Sequence, residues 1–152
     1  MNIEEKIKSL GFALSVPAQP LGSYLPARRS GNMLFISGQL PKSGDNLVKG
    51  KLGADLSIEE GKKAAEIAFI NVLSIVKQEI GSLEKVDFIV RLSGYINSAP
   101  GFDRQPDVMN GASDLAVTIF GDNGKHSRIA LGAGELPLNA ACEIDAIFQI
   151  KD

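Results

Sequence analysis

Two ionisable side chains near the C-terminus, Arg128 and Glu143, are the residues of this sequence best suited to carry chemistry. A guanidinium can hold a planar carboxylate by two parallel hydrogen bonds, and a carboxylate can orient or deprotonate a water molecule. Each residue opens an apolar run of strand type, and a segment bearing Gly and Pro separates the runs. A hairpin turning at Glu135 and Leu136 would place Arg128 opposite Glu143. The spacing alone leaves two alternatives open, a modest cross-strand ion pair or the centre of a site.

The other candidate groups point away from metal and nucleotide chemistry. His126 is the only histidine, which leaves no His-rich metal constellation, and we interpret it as a polar residue at a strand entrance. Cys142 is the only cysteine and falls inside a predicted strand, so we interpret it as a core residue. The glycines near Gly124 and Gly132 fit neither a phosphate loop nor a dinucleotide fingerprint. The sequence therefore predicts a function without a metal or an organic cofactor.

Composition and charge restrict the class of protein. The chain has 152 residues, of which 44% are hydrophobic and 22% charged, with a formal net charge of −2. This composition predicts a single globular domain over residues 1–152. The mildly acidic balance and scattered lysines argue against a nucleic-acid binder, which usually presents a basic face. With one cysteine, no leader-like start and no apolar run of membrane-spanning length, we expect a cytoplasmic protein.

Helices are predicted from apolar periodicity and from the Gly and Pro residues that interrupt it. A short amphipathic helix is expected over residues 3–10, followed by extended chain over residues 12–26, where three prolines fall. A long helix is expected over residues 57–81, because its start has the Ser-x-x-Glu spacing of a capping box and a glycine closes it. A further helix should begin near Pro106 and end at Gly121.

Strands are predicted over residues 33–39 and 86–97 and in the C-terminal hairpin, with a loose hairpin over 41–56. Strict alternation in 86–97 would put Phe88 on the buried face and Ile89 on the opposite face. Helices should therefore cover one face of a sheet in an α+β domain. Because no further long helix is available for the other face, we expect a homo-oligomer to cover it.

Several further motifs follow one another along the chain in the order seen in a known protein family. They are Gly22-Ser23-Tyr24, Phe35-Ile36-Ser37-Gly38-Gln39, Asn71, Asn110, Ser127-Arg128 and Leu136-Pro137-Leu138-Asn139-Ala140-Ala141-Cys142-Glu143-Ile144. Together they resemble the reactive intermediate deaminase family, also called RidA/YjgF or endoribonuclease L-PSP. Where the short prototype of that family has Pro-Ala-Arg, this chain has His126-Ser127-Arg128. The chain looks like a longer branch of the family.

The resemblance implies a chorismate-mutase-like α+β fold of the bacillar type, with one mixed sheet and two main helices on one face. It also implies a homotrimer with clefts between subunits. The implied activity is hydrolysis of enamine and imine intermediates, of the 2-aminoacrylate and 2-iminopropanoate type, to a 2-oxo acid and ammonia. In the same way it implies a 2-iminobutanoate/2-iminopropanoate deaminase-like enzyme acting on a small carboxylate.

Roles for individual residues follow from the same resemblance. Carried over by position, Arg128 would hold the substrate carboxylate and Glu143 would position or activate the attacking water. Tyr24 would close the cleft from the neighbouring subunit, and backbone groups near Ala130 would contact the substrate. The residues implied to contact, line or support the substrate site are Tyr24, Ser37, Gly38, Asn110 and Ala130.

Two other functions stay open at this point. A non-catalytic trimer could use the same clefts to bind 2-oxo acids or other small carboxylates as a regulatory protein. A ribonuclease, as the older family name suggests, is the third alternative. It fits the sequence least well, because the chain is mildly acidic and its single histidine offers no acid/base pair.

Overall fold

A five-stranded mixed sheet covered on one face by two helices forms the body of the protein. The structure is a computed structural model that describes residues 1–17 and 19–152. Within these residues the strand order of the sheet is β1-β2-β7-β5-β6, and β3 and β4 form a small separate ribbon. The elements are α1 Ile3–Ser9, β1 Ala27–Ser30, β2 Met33–Gln39, β3 Lys42–Ser43, β4 Asn46–Leu47, α2 Ile58–Ile80, β5 Val86–Asn97, α3 Gln105–Phe120, β6 Ser127–Ala133 and β7 Cys142–Ile150.

Helix α2 begins and ends where its residue types predict. The Ser57 hydroxyl accepts a hydrogen bond from the Glu60 amide at 3.2 Å, and the Ser57 amide donates to Glu60 Oε1 at 3.0 Å. These two bonds satisfy amide groups that the first turn of a helix leaves without partners. At the other end Gly81 has a φ of 86°, a conformation that favours glycine. The predicted capping box and glycine stop are confirmed.

Helix α3 lies unusually close to α2 because a glycine faces it. A Cβ atom on Gly111 would overlap the carbonyl oxygen of Lys62 in α2. A second close approach occurs at Gly94 in β5, where a Cβ would overlap Met109 of α3. The two glycines therefore fix α3 against both its neighbouring helix and the sheet.

The predicted C-terminal hairpin is wrong, because β5 lies between its two strands. Strand β6 pairs in parallel with β5, and β7 pairs antiparallel with both β5 and β2. A two-residue turn at Glu135 and Leu136 would require the residues on either side of it to pair directly with each other. Pro137 has no amide hydrogen to donate, and Leu138 and Asn139 each have a φ of 58°. The connection instead spans enough residues to cross over β5.

Buried polar contacts hold this crossing connection in place. Asn97, fully buried at the end of β5, donates from Nδ2 to Asn139 Oδ1 and to the Ala140 carbonyl, both at 3.0 Å. Lys51 Nζ donates to Asn97 Oδ1 at 3.0 Å and also to the Gly134 carbonyl. Because every polar atom of the buried amide has a partner, the hydrogen bonds offset the cost of burying it, and Asn97 joins two loops to the end of β5.

Two other strand predictions need correction. The alternation expected for β5 is broken by register shifts between Val86 and Phe88 and between Ile89 and Arg91. Each shift inserts an extra residue, which turns the following side chains to the other face. Ile89 is therefore in the core and Phe88 is exposed, the reverse of the expectation. Strand β1, which no sequence pattern had indicated, forms the edge beside β2.

The face of the sheet opposite the helices is open in the single chain. Along β7, buried residues alternate with half-exposed Glu143, Asp145, Ile147 and Gln149, which lie on this face. Phe35, Ile129 and Leu131 are large apolar side chains that remain exposed on other strands. The expected α+β fold with a mixed sheet and two main helices on one face is confirmed. Among the described helices, none combines the length and the apolar character needed to cross a membrane.

Candidate functional site

Arg128 extends from β6 on the helix side of the sheet and is held there by α3. Its partner in the parallel register is Leu92, a core residue, so both side chains lie on the helix side. Nη1 donates to Asn110 Oδ1 at 2.8 Å and to Ser113 Oγ at 3.1 Å. Nη2 donates to the Pro106 carbonyl in a long bond of 3.4 Å. These bonds fix the plane of the guanidinium.

A second layer of hydrogen bonds continues from Ser113 to His126. Ser113 Oγ lies 2.9 Å from His126 Nε2, and His126 Nδ1 lies 2.6 Å from the Gly124 carbonyl oxygen. Burial lowers the pKa of His126 below its ordinary value, and the Arg128 guanidinium lowers it further, while the bond to Gly124 acts in the opposite direction. The ring is therefore neutral at physiological pH.

Glu143 lies on the open face at the start of β7, next to the bulge in β2. The register of β2 against β7 shifts between Ile36 and Gln39, and a Cβ on Gly38 would come within 2.9 Å of Glu143 Cδ. Glycine at this position lets the Glu143 carboxylate lie close to the backbone of β2. Burial raises the pKa of Glu143, and the Asp145 carboxylate two residues along the same face raises it further. A carboxylate with a raised pKa is a stronger general base.

Tyr24 and Ser37 line a shallow cavity of about 500 Å³ beside β1 and β2. Tyr24 lies on a loop and is 58% exposed. Ser37 Oγ donates to the Leu25 carbonyl at 2.7 Å and so ties the loop that carries Tyr24 to the end of β2. A larger groove of about 750 Å³ is lined by Tyr24 together with Gly38. Tyr24, Ser37 and Gly38 thus share one region with Glu143.

The predicted site residues therefore form two groups within the chain. Arg128 aligns with Leu92 of β5 and Glu143 with Tyr95, three residues further along and two strand spacings across. This offset corresponds to about 14 Å, and the two side chains lie on opposite faces. Tyr24 precedes β1, the strand at the opposite edge of the sheet from β6, and four strand spacings, about 19 Å, separate β1 from β6. The expected juxtaposition of Arg128 with Glu143 is wrong for one chain.

Asn110 and Ala130 belong to the Arg128 group. Asn110 was expected to face a partner or a ligand, and its amide oxygen holds Arg128. Ala130 lies two residues after Arg128 on β6, an edge strand whose outer backbone groups have no neighbouring strand in the part of the chain that the structure describes. Backbone groups near Ala130 are thus accessible beside the guanidinium.

Sequence reasoning missed Ser113 and underrated His126. Ser113 follows Asn110 by three residues in α3, a spacing that places both side chains on one face of a helix. That spacing could have indicated Ser113 once Asn110 was chosen. The link to His126 could not be inferred, because it depends on where the turn after α3 ends.

Cys142 takes no part in either group. It is fully buried in the core, and burial raises the pKa of its thiol to about 12, with a further contribution from the Glu143 carboxylate. A thiol in this environment stays protonated and unreactive. The interpretation of Cys142 as a core residue is confirmed.

A known protein family matches nearly the whole chain. The family described as "YjgF/chorismate_mutase-like, putative endoribonuclease" matches residues 4–149. The chain belongs to this family. The match covers both groups of site residues, so the resemblance read from scattered motifs is confirmed for nearly the whole YjgF-family domain.

Individual relatives cover the same length. Protein TCP17 of Trypanosoma cruzi is 38% identical over 152 residues, spanning 99% of this chain and 95% of the relative. A 2-iminobutanoate/2-iminopropanoate deaminase of Dermatophagoides farinae is 27% identical over 135 residues, spanning 88% of this chain and 90% of the relative. A crystal structure of a protein of unknown function from Agrobacterium tumefaciens superposes with a TM-score of 0.92 at 42% identity, covering 98% of this YjgF-family chain and 92% of the other.

Proposed function

We propose that this protein is a hydrolytic deaminase of small enamine and imine acids, which it converts to a 2-oxo acid and ammonia. The observation that carries the proposal is the Arg128 guanidinium, whose plane is fixed by Asn110 and Ser113, while Nε donates to no residue that the structure describes and Nη2 only to the Pro106 carbonyl at 3.4 Å. A fixed guanidinium selects a planar carboxylate, the group common to such substrates. The family includes a relative named as a deaminase of this type.

Assembly into a homotrimer would bring the two groups of residues together. Because Arg128 and Glu143 lie about 14 Å apart on opposite faces, one chain cannot place both around a small acid. A cleft between subunits can take Arg128 and the backbone near Ala130 from one chain, and Glu143 and Tyr24 from its neighbour. The open sheet face, with its exposed apolar side chains, supports such an association.

In the proposed reaction each group has one task. Arg128 holds the substrate carboxylate, and the Glu143 carboxylate takes a proton from a water molecule as the water oxygen bonds to the imine carbon. Glu143 returns this proton to the nitrogen, which gives a carbinolamine with one hydroxyl and one amino group on the same carbon. Glu143 then transfers the hydroxyl proton to the amino group. The carbon–nitrogen bond breaks as the carbonyl forms, so that ammonia and a 2-oxo acid leave. The raised pKa of Glu143 favours its part in these proton transfers.

A non-catalytic carboxylate-binding trimer is the second candidate. The observation in its favour is that Arg128 and its partners are complete within one chain, independent of Glu143. Such a protein would bind 2-oxo acids in the same cleft without turning over an imine.

The test generates 2-aminoacrylate from serine with a serine dehydratase and follows pyruvate formation with and without this protein. Wild-type protein should accelerate the reaction. Arg128→Ala should lower kcat/KM by at least about 30-fold, because a charged hydrogen-bonded pair loses one partner. Glu143→Gln should lower kcat by about 100-fold while pyruvate still binds.

Arg29→Ala is the matched control, since Arg29 is an exposed arginine on β1, and it should act as wild type. Wild-type protein that binds pyruvate but does not accelerate the reaction would favour the second candidate. An Arg128→Ala variant as fast as wild type would contradict the mechanism.

A further inference from the structure

The hydrogen bonds around Arg128 leave one particular edge of its guanidinium available. A guanidinium has five N–H groups, and both hydrogens of Nη1 are used by Asn110 and Ser113. Of the residues the structure describes, none accepts from Nε, and Nη2 has only the long bond to the Pro106 carbonyl. The edge formed by Nε and Nη2 is therefore free to hold a carboxylate by two parallel bonds.

Ser113 can support this arrangement only with its hydroxyl hydrogen turned away from Arg128. A serine inside a helix often donates to the carbonyl four residues earlier. Ser113 instead makes its contacts with Arg128 and with His126. Because Nη1 is a donor, Ser113 Oγ must accept from it, and the hydroxyl hydrogen points to His126 Nε2. That direction requires an unprotonated Nε2.

The turn after α3 fixes the tautomer of His126. A carbonyl oxygen can only accept, so the 2.6 Å contact with Gly124 places the proton of the neutral ring on Nδ1. Gly124 is buried, and a Cβ there would overlap the Ala116 carbonyl of α3. Glycine lets the turn lie against the helix and aims its carbonyl at the ring. The donors and acceptors then follow one another in a single order, from Arg128 through Ser113 and His126 to Gly124.

We propose that Ser113 and His126 are positioning residues that hold the Arg128 guanidinium with its Nε/Nη2 edge toward the substrate carboxylate. This inference rests on the proposed function for the identity of the ligand. It extends that function in one respect. Ser113 and His126, which do not touch the reacting atoms, give the site its selectivity for a carboxylate over an uncharged carbonyl group.

The test compares binding of pyruvate with binding of pyruvamide, its uncharged amide, by calorimetric titration. Ser113→Ala should weaken pyruvate binding about tenfold, the effect expected for one hydrogen bond to a charged group, and leave pyruvamide binding unchanged. Ser113→Thr, which keeps the hydroxyl, should restore pyruvate binding. In an Arg128→Lys background the Ser113→Ala effect should vanish, because the fork it orients is gone.

His126 provides an independent set of variants. His126→Gln keeps an acceptor near the Nε2 position and should retain most of the pyruvate affinity, whereas His126→Leu should lose about as much as Ser113→Ala. Nitrogen NMR of the single histidine should show a protonated Nδ1 and a bare Nε2. This readout does not depend on any ligand.

Each outcome has a defined meaning. Wild type that neither binds pyruvate better than pyruvamide nor hydrolyses 2-aminoacrylate would contradict the proposed function. Normal wild-type binding with an unchanged Ser113→Ala variant, or a ring protonated on Nε2, would overturn the positioning role alone. A Ser113→Ala variant with lower kcat and an unchanged pyruvate-to-pyruvamide ratio would also overturn it, because Ser113 would then act on the reacting atoms.

Discussion

The protonation of His126, the single histidine of this chain, is coupled to the stability of the fold. His126 is neutral in the folded state because burial and the Arg128 guanidinium lower its pKa. In the unfolded chain the ring titrates with its ordinary pKa of about 6.5. Below that pH the unfolded state binds a proton that the folded state does not, so acid favours unfolding.

We therefore expect the free energy of unfolding to fall as pH decreases from about 7 to 5.5, and His126→Gln to remove part of that dependence. The check is urea denaturation of both proteins at fixed protein concentration across this range, comparing slopes rather than absolute stabilities. Carboxylates titrate in both proteins and cancel in the comparison. Parallel curves for wild type and His126→Gln would contradict the expectation.

At the scale of elements, the close packing of α3 depends on residues without side chains. Alanine normally stabilises a helix interior by about 1 kcal/mol relative to glycine. At Gly111 the added Cβ would overlap the backbone oxygen of Lys62, and neither helix can move without disturbing the core. The steric overlap should outweigh the helix propensity of alanine, so that Gly111→Ala destabilises the protein.

Gly111→Ala should thus lower the free energy of unfolding by about 2 kcal/mol, in the range typical of overpacking. Gly134→Ala is the matched control, because a Cβ there would meet nothing within 4 Å. Thermal and urea denaturation of the two variants measure the difference. A Gly111→Ala variant more stable than wild type would show that α2 and α3 can separate at little cost.

The helices and strands also show how much of the fold could be predicted from the sequence alone. Signals that act within a few residues were reliable: the capping box at Ser57 and the glycine stop at Gly81 were both predicted correctly. The sequence did not predict correctly which strands lie side by side. Strand β7 pairs with residues distant in sequence, and no local pattern indicates that the connection after β6 crosses β5. The bulges in β5 likewise depend on its partner, so Phe88 and Ile89 were assigned to the wrong faces.

The candidate site shows the same limit. Arg128, Glu143 and Tyr24 were predicted as site residues from their types and their order along the chain, whereas their separation follows only from the strand order. Arg128 and Glu143 were expected to face each other in a hairpin. The pairing register puts them on opposite faces, so in the proposed cleft between subunits they would come from different chains.

For the whole molecule, the proposed assembly through the open sheet face can be tested by placing a charge on that face. Leu131 is 47% exposed on that face, while Val117 is 37% exposed on the outer side of α3. If copies of the chain associate through the sheet, a charge at Leu131 is buried at the interface and a charge at Val117 stays in water.

We expect wild-type protein to elute as a trimer of three 16.1 kDa chains, about 48 kDa, in size-exclusion chromatography with light scattering. Leu131→Glu should shift the mass toward that of the monomer and abolish imine hydrolysis, because the two groups of site residues separate. Val117→Glu should leave both unchanged. A monomeric wild type, or a trimeric Leu131→Glu variant, would contradict assembly through this face.

The position of β7 has a consequence for how the chain folds. This strand joins β2 to β5, and all the other strands of the sheet precede it in the sequence. Until β7 is added, the β1–β2 pair and the β5–β6 pair have no strand between them and cannot form one sheet. The edges of β2 and β5 that face each other would then have unpaired backbone groups. Insertion of the last strand therefore completes the sheet.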